Sequence, residues 1–224
     1  MSAPGPRPGQ DAGGRGAGLV SARIAVLAKV PAPGRVKTRL CPPCTPGQAA
    51  RVAAAALADT IAAVSGARAG GRVLITDGPC AAPPGWASAR QRGGPLSDRL
   101  ANAFADAGPA LLIGMDTPQL TAGHLDEALR LLRDADAVLG PAEDGGWWAL
   151  GLRDPGHAEA LRGIPTSTAT TGARTRTALL RRGLRVAELP RLRDVDTAPD
   201  AYAVAALCPP GREFPRVVAA EVPR

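Results

Sequence analysis

Short apolar runs separated by longer amphipathic segments make up most of the chain. The segments between the runs have apolar residues at helical spacing, which predicts helices at about 46–64, 100–104, 121–132, 171–182 and 200–207. Because the runs alternate with helices, we predict an α/β fold, a three-layer α/β/α sandwich with a mostly parallel sheet. The runs that predict strands are Arg23–Ala28, Arg72–Asp77, Ala110–Ile113, Ala137–Gly140, Trp147–Leu152 and Leu184–Leu189.

The run at 110–113 leads into an aspartate and a proline turn. Pro118 biases the residue before it away from the helical region, so the chain bends just after Asp116. In open α/β sheets, ligands bind beyond the carboxyl ends of the strands. Asp116 is therefore a candidate site residue, although an aspartate before Thr-Pro also commonly caps a turn.

The composition divides the 224 residues into one domain and two tails. Residues 1–20 are rich in Gly, Pro, Ala and Arg and have no periodicity, so we expect a disordered tail there. Residues 21–208 form the predicted domain. The Pro- and Arg-containing residues 209–224 are expected to pack loosely.

The charge of the chain is basic, with 27 Lys plus Arg against 20 Asp plus Glu and a formal net charge of +7. The arginines are scattered, and aromatic residues make up only 3% of the chain. This pattern favours a solvated basic surface over nucleic-acid binding. A surface of this kind also attracts anionic substrates.

The cysteines and the hydropathy bear on the cellular compartment. Cys41 and Cys44 form a lone C-x-x-C, and Cys80 and Cys208 are isolated, so free thiols in a reducing cytoplasm are expected. No apolar run approaches the length that spans a bilayer, and the first residues lack a signal pattern. We therefore expect a cytoplasmic protein with no membrane partner.

A basic loop follows the first predicted strand. It contains Lys29 and Lys37, the only lysines of the chain, together with Arg35 and Arg39. Lysine contacts a phosphate as a point charge, arginine can grip two oxygens, and Gly34 lets the backbone come close. The loop thus predicts a phosphate cradle, with an exposed basic loop as the alternative.

Acidic residues follow three predicted strands. Asp116, Asp144 and the pair Asp194 and Asp196 would open on the same edge of a parallel sheet as the basic loop. Carboxylates facing bound phosphates are the ligands that Mg²⁺ or Mn²⁺ requires. The sequence therefore predicts a divalent metal site at this edge.

A glycine pair and a tryptophan pair lie next to Asp144. Gly145 and Gly146 would let a ligand approach the backbone, or they form only a tight turn between strands. Trp147 and Trp148 face opposite sides of a strand, so one is a candidate for a pocket wall while the other packs in the core.

Four motifs in this order resemble the DUF2064 group of GT-A-type glycosyltransferases, which are also described as arsenosugar-biosynthesis or radical-SAM/selenodomain-associated transferases. The group is similar to 2-phospholactate guanylyltransferase and the molybdenum-cofactor nucleotidyltransferases. The resemblance spans about residues 23–207 and implies a Rossmann-like nucleotide-diphospho-sugar transferase fold. The motifs lie at 28–40, 113–120, 139–146 and 194–197.

The resemblance also implies roles for individual residues. The metal, Mg²⁺ or Mn²⁺, would be held by Asp116 and Asp196. Departures from the family pattern are Pro95 and Ser97 in the nucleotide segment, and Trp147 where a tyrosine is usual. The residues implied to bind the nucleotide are Lys29, Gly34, Arg35, Lys37, Arg39, Gln91, Gly93 and Arg99. Those implied to border the sugar or the acceptor are Glu143, Gly145, Gly146 and Trp147.

Three functions follow from these patterns as hypotheses. The first is a metal-dependent transfer of a nucleotide-activated sugar to a small-molecule acceptor, with Lys37 helping to neutralise the leaving diphosphate and Asp144 positioning or deprotonating the acceptor. The second is nucleotidyl transfer, in which an NTP reacts with a phosphate-bearing acceptor and pyrophosphate leaves. The third is a non-catalytic module that binds nucleotides or nucleic acid.

Overall fold

The computed structural model describes residues 22–224, so the predicted tail at 1–20 lies outside the described residues. These residues form a seven-stranded sheet with helices on both faces. The strands are β1 (Arg23–Ala28), β2 (Arg72–Thr76), β3 (Ala87–Arg90), β4 (Ala110–Ile113), β5 (Ala137–Pro141), β6 (Trp147–Leu152) and β7 (Val186–Glu188). The helices are α1 (Pro46–Gly66), α2 (Leu96–Ala107), α3 (Ala122–Asp134), α4 (Thr171–Arg181), α5 (Ala198–Leu207) and α6 (Glu213–Glu221).

The strand order is β3-β2-β1-β4-β6-β5-β7, and the sheet is mostly parallel, as predicted. β1 runs parallel to β2 and β4, while β6 alone is antiparallel to its neighbours β4 and β5. The carboxyl ends of β1, β2, β4 and β5 therefore open on one edge, and β6 begins at that edge. The residues predicted to carry chemistry lie in the loops at this edge.

Side-chain caps begin two of the helices. Thr45 accepts a hydrogen bond from the backbone of Gln48, whose side chain accepts one from Thr45 in return, so a capping box begins α1. Thr121 and His124 form the equivalent pair at α3, which accounts for His124 as a capping residue. These side chains satisfy backbone groups that a helix end leaves without partners.

The side chains of the sheet alternate between two cores. On β1, Val26 packs with Leu111 on one face, while Ala25 packs with Leu112 and Phe104 on the other. The residues of β4 are buried on both sides, as the apolar run predicts. A third cluster lies between α1 and the C-terminal helices.

The expectation of loose packing at 209–224 is wrong. Helix α6 packs on α1, and Phe214 is fully buried. The buried carboxylate of Asp59 in α1 accepts hydrogen bonds from the backbone N–H groups of Glu213 and Phe214, at 3.0 and 2.8 Å. Phe214, Val218 and Val222 recur at helical spacing and form the apolar stripe that holds this segment to the fold.

Three further features differ from the sequence analysis, two of them elements that it did not predict. Strand β3 forms at the sheet edge from a segment without an apolar run, and residues 38–40 of the basic loop form a short 3-10 turn. By length and composition, α1 is apolar enough to cross a membrane, contrary to our expectation for the whole chain. In the fold, 61% of its most apolar window is buried, which is the environment of a core helix.

Candidate active site

A cleft of about 530 Å³ opens at the carboxyl edge of the sheet. It is bounded by the basic loop after β1, the turn after β4, the hairpin between β5 and β6, and residues 194–196. A backbone hydrogen bond of 2.9 Å from Val195 N to the carbonyl of Asp116 ties two of these segments together. The parallel topology therefore brings sequence-distant loops to one site.

Lys37 is the central cation of the cleft. Its side chain is only 7% exposed, and its ammonium lies 2.6 Å from a carboxylate oxygen of Asp116 and 3.7 Å from one of Asp196. It also donates to the carbonyl of Val195. Lys37 has a left-handed backbone with φ of 49°, which turns the chain into the 3-10 segment. The ammonium thus neutralises carboxylates from two loops.

Three carboxylates gather next to this lysine. Oxygen atoms of Asp144, Asp194 and Asp196 lie within 4.8 Å of one another. Burial, reinforced by the negative charges of Asp144 and then of Asp196, raises the pKa of Asp194 from its ordinary value of 3.8 to about 6. Hard carboxylate oxygens at this spacing fit the ligand set of Mg²⁺ or Mn²⁺.

The grouping differs from the metal pair implied by the family resemblance. Asp196 belongs to the trio with Asp144 and Asp194, whereas Asp116 contacts the ammonium of Lys37. Lys37 nevertheless bridges Asp116 to Asp196, so all four carboxylates line one cleft. The assignment of Asp116 and Asp196 as ligands stays a prediction.

Only some of the basic-loop residues that were predicted to bind the nucleotide line the cleft. Lys29, Lys37 and Arg39 line the cleft, and Arg39 donates to Asp196 at 2.8 Å. Arg35 instead lies 3.5 Å from Asp77, and its side chain is 67% exposed. Gly34, with φ of +74°, makes the tight turn before Arg35 and lies outside the lining of the cleft.

Of the residues after β3 that were predicted to bind the nucleotide, two line the cleft and one does not. Gln91 lines the cleft, donates its amide to the carbonyl of Ala28 at 2.8 Å, and accepts a hydrogen bond from Arg99 at 3.1 Å. Arg99 lines the cleft too, and within the described residues its buried Nε has no hydrogen-bond partner. Gly93, with φ of +107°, lies outside the lining, against Asp98.

In the hairpin between β5 and β6, some of the predicted site residues line the cleft and others lie outside it. Asp144, Gly146 and Trp147 line the cleft, and Asp144 accepts a hydrogen bond from Gly146 N at 2.7 Å. Glu143 turns outward to pair with Arg193 at 2.6 Å. Gly145 lies outside the cleft lining and has φ of +88°, and a Cβ added there would lie 2.1 Å from the carbonyl oxygen of Ala169.

The two tryptophans lie on opposite sides of β6, as the alternation of side chains along a strand predicts. Trp148 is buried in the core and donates its indole N–H to the carbonyl of Pro190 at 3.0 Å. Its ring passes so close to Gly140 that a Cβ there would lie 2.5 Å from it. Trp147 is half-buried, lines the cleft and also packs against the core that contains Phe104.

A serine- and threonine-rich segment at residues 166–171 was missed by the sequence reasoning. Thr166, Ser167, Thr168 and Thr171 line the cleft, and Ser167 has a left-handed backbone with φ of 59°. The segment is held to the hairpin, because the first turn of α4 donates a backbone hydrogen bond of 2.8 Å to the carbonyl of Gly145. A run of hydroxyl residues before a predicted helix was the available signal.

Charge is divided across the cleft according to chain position. Residues from 27–100, the basic half, supply all the cations of the lining: Lys29, Lys37, Arg39 and Arg99. Residues from 112–196, the acidic half, supply all its carboxylates: Asp116, Asp144, Asp194 and Asp196. The two sets of charges are close in space, because Lys37 and Arg39 contact Asp116 and Asp196, so the cleft can hold an anionic group and a metal cation next to each other.

The sheet order and the loops at its carboxyl edge belong to an α/β fold of the nucleotide-diphospho-sugar transferase type. The sequence profile of the bacterial family described as DUF2064, "Uncharacterized protein conserved in bacteria", matches residues 48–168. The chain therefore belongs to the DUF2064 family.

Solved structures agree with this fold. A candidate nucleotide-diphospho-sugar transferase from Desulfovibrio desulfuricans is 26% identical, with a TM-score of 0.75 over 89% of this chain and 97% of that chain. A cytidylyltransferase from Leptospira borgpetersenii is 12% identical, with a TM-score of 0.50 over 90% and 93% of the two chains. Rv0371c from Mycobacterium tuberculosis is 19% identical, with a TM-score of 0.50 over 82% and 97%. No curated protein matches the chain significantly.

Proposed function

We propose that this protein is a metal-dependent transferase that moves a sugar from a nucleotide-activated donor to a small-molecule acceptor. The observation that carries the proposal is the cleft itself, in which four cations and four carboxylates lie together at the carboxyl edge of the sheet. Membership in the DUF2064 family and the similarity to the Desulfovibrio structure support it. We place the catalytic residues within residues 21–208, with α6 packed on the same domain, and the protein in the cytoplasm, where the free thiols of all four cysteines would be maintained.

The basic half is the proposed site of the donor's diphosphate. Lys29 and Arg39 line it from the basic loop, and Arg99 carries a buried N–H group that a donor oxygen could satisfy. Lys37 is close to both halves, so its ammonium can contact a bridging phosphate oxygen while it keeps Asp116 in place. Gln91, held by Arg99, would border the nucleoside.

Asp116 and Asp196 are the proposed holders of Mg²⁺ or Mn²⁺, with Asp196 central because it lies beside both Lys37 and the acids Asp144 and Asp194. The bound ion would supply charge neutralisation for the leaving diphosphate. The protein's own part is to hold several acids close together, which Lys37 and Arg39 favour by pairing with Asp196.

The transfer itself needs a base for the acceptor. The acceptor oxygen would attack the anomeric carbon of the sugar, the bond from that carbon to the phosphate oxygen would break, and its electron pair would leave with the NDP. Asp144 is the proposed recipient of the acceptor's proton, because it is the exposed member of the trio and lies at the hairpin next to Trp147.

Nucleotidyl transfer is the second candidate. The same four cations could hold a triphosphate, and the fold is shared with the Leptospira cytidylyltransferase. In that case an acceptor oxygen would attack the α-phosphorus of an NTP and pyrophosphate would leave.

A thermal-shift screen of NDP-sugars and NTPs, with and without Mn²⁺, tests the proposal. A ligand that binds only the folded state raises the melting temperature by mass action. We expect an NDP-sugar to do so in a Mn²⁺-dependent manner, and NDP rather than pyrophosphate to be released with acceptors. Asp196→Asn should lose the Mn²⁺ dependence. Pyrophosphate release from NTPs alone would establish the second candidate in place of the first.

A further inference from the structure

Two segments that carry proposed metal ligands lie side by side at the cleft. One is the turn after β4, which carries Asp116, and the other is residues 193–196, which carry Asp196. The backbone hydrogen bond of 2.9 Å from Val195 N to the carbonyl of Asp116 is one link between them. The separation of the two proposed ligands therefore depends on how these segments are held together.

Gln119 supplies a second link between the same segments. Its side-chain Nε2 donates to the carbonyl of Arg193 at 2.6 Å. That carbonyl belongs to the peptide bond that precedes Asp194, so the hydrogen bond fixes the backbone from which the acidic residues project. A side chain of the β4 turn thus holds the neighbouring segment in place.

The burial of Gln119 indicates what its amide contributes. The residue is only 4% exposed, and its Oε1 is buried with no hydrogen-bond partner in the described part of the chain. Burying a polar atom without a partner costs free energy, and a methionine of similar size would avoid that cost. The hydrogen bond to Arg193 is therefore the interaction that offsets the burial of this amide.

The two partners of this bond are anchored on different parts of the fold. Arg212, at the start of α6, donates to the carbonyl of Leu120 at 2.8 Å and holds the turn that carries Gln119. On the other side, Glu143 N in the hairpin donates to the carbonyl of Leu192 at 2.9 Å. Loss of the Gln119 bond would leave both anchors in place and remove one of the links that set the separation of the segments.

We propose that Gln119 is a positioning residue for the metal site, and that its amide sets the separation of Asp116 from Asp196. Gln119 lies outside the lining of the cleft, so it acts through the carbonyl of Arg193. The inference rests on the proposed function, because it concerns the metal ion that these two acids are proposed to hold.

Mn²⁺ binding to the metal-free protein tests the proposal, with the free ion measured by electron paramagnetic resonance. Gln119→Met keeps the approximate size of the side chain and removes its donor, and we expect it to raise the Kd of Mn²⁺ about tenfold. Gln119→Asn keeps the amide but shortens its reach by one methylene, so it is a second variant that should raise the Kd in the same direction.

Thr60→Val is the matched control. It removes a buried side-chain donor from the carbonyl of Ala56 in α1, outside the lining of the cleft. Because this site is independent of the two segments, the Kd of Mn²⁺ should stay within about twofold of the wild type. A similar rise in Thr60→Val would mean that any lost buried hydrogen bond weakens the site, and would overturn the specific role of Gln119.

Hydrogen exchange of the Val195 amide gives a readout that needs no metal. This amide should exchange faster in Gln119→Met than in the wild type or Thr60→Val, because its segment has lost a neighbouring hydrogen bond. Faster exchange combined with an unchanged Kd of Mn²⁺ would show that the bond serves the fold alone, and would overturn the inference.

The wild-type protein separates failure of this inference from failure of the proposed function. If the wild type binds Mn²⁺ and Gln119→Met binds it equally well, the inference fails and the metal-dependent function stands. That result is expected if Asp144, Asp194 and Asp196 hold the ion without Asp116. If the wild type binds no Mn²⁺, the metal-dependent function fails together with the inference.

Discussion

At the scale of single residues, the ammonium of Lys37 supplies the positive charge that allows carboxylates of the cleft to lie close to one another. Its buried ammonium contacts Asp116 and Asp196, which come from loops far apart in the chain. Removing one partner of a buried ion pair leaves the other charges without compensation. The lysine is thus a condition for the local arrangement as well as a candidate phosphate contact.

We predict that Lys37→Met lowers the free energy of unfolding by about 2 kcal/mol in metal-free buffer, below the full cost of a broken buried pair because Asp116 is partly exposed. Mn²⁺ should restore part of the loss, since a divalent ion can neutralise the same oxygens. Urea unfolding with EDTA or Mn²⁺ measures both effects. Lys29→Met, at the exposed second lysine, is the control and should change stability by less than about 0.5 kcal/mol. Equal stabilities of the two variants would contradict the role of Lys37.

The raised pKa of Asp194, about 6 against 3.8, gives a second prediction at this scale. Between these values the unfolded chain has released its proton while the folded chain keeps it, so the free energy of unfolding falls as the pH rises from about 4 to 6. The loss is at most about 3 kcal/mol. Urea unfolding in EDTA at several pH values should show this decline in the wild type.

Asp194→Asn serves as the control for this titration. The variant cannot ionise at that position, so the part of the decline that belongs to Asp194 should disappear and the metal-free variant should be the more stable protein at pH 7. An identical pH dependence in the two proteins would show that Asp194 does not titrate in this range.

At the scale of elements, the docking of α4 on the hairpin between β5 and β6 shapes the acidic half. A Cβ at Gly145 would lie 2.1 Å from the carbonyl oxygen of Ala169, and one at Gly172 would lie 2.5 Å from that of Gly146. Such contacts cannot be relieved by rotating a side chain, because the neighbouring atoms are backbone. The two glycines therefore set how close the hydroxyl-bearing segment comes to Asp144.

Gly145→Ala and Gly163→Ala separate crowding from backbone conformation. Both glycines have positive φ, +88° and +77°, but only Gly145 has neighbours within 4 Å of the added Cβ. We expect Gly163→Ala to cost about 1 kcal/mol from the left-handed conformation alone, and Gly145→Ala at least about twice that. Urea unfolding of both variants makes the comparison, and equal losses would mean that the close approach is not important.

At the scale of the whole molecule, the net charge of +7 is spread over a surface rich in arginine. We expect duplex DNA to bind no more tightly than about 10⁻⁵ M at physiological salt. Asp116→Asn should abolish metal-dependent nucleotide binding and leave the weak DNA binding unchanged. Fluorescence anisotropy of labelled DNA against salt, with thermal shift for the nucleotide, measures the two. Tight DNA binding combined with intact nucleotide binding in the variant would favour the non-catalytic hypothesis.

Features encoded by neighbouring residues were predictable from the sequence. The apolar run at 110–113 predicts a buried strand, and Thr45 with Gln48 predicts the start of α1, because each signal depends on residues within one element. The clustering of both lysines in one loop was visible in the same way. The alternation of strands and helices was sufficient for the layered architecture.

The tertiary structure alone decided which of these groups meet. The trio of Asp144, Asp194 and Asp196, the outward turn of Arg35 towards Asp77, and the packing of α6 on Asp59 all join residues distant in the chain. Periodicity specifies which face of an element is apolar. It specifies neither the order of the strands in the sheet nor the direction in which a loop side chain points. Those depend on the packing of elements against one another. The sequence predicted that the four acids share one edge of the sheet, but only the folded chain could show that Asp144 groups with Asp194 and Asp196 while Asp116 contacts Lys37.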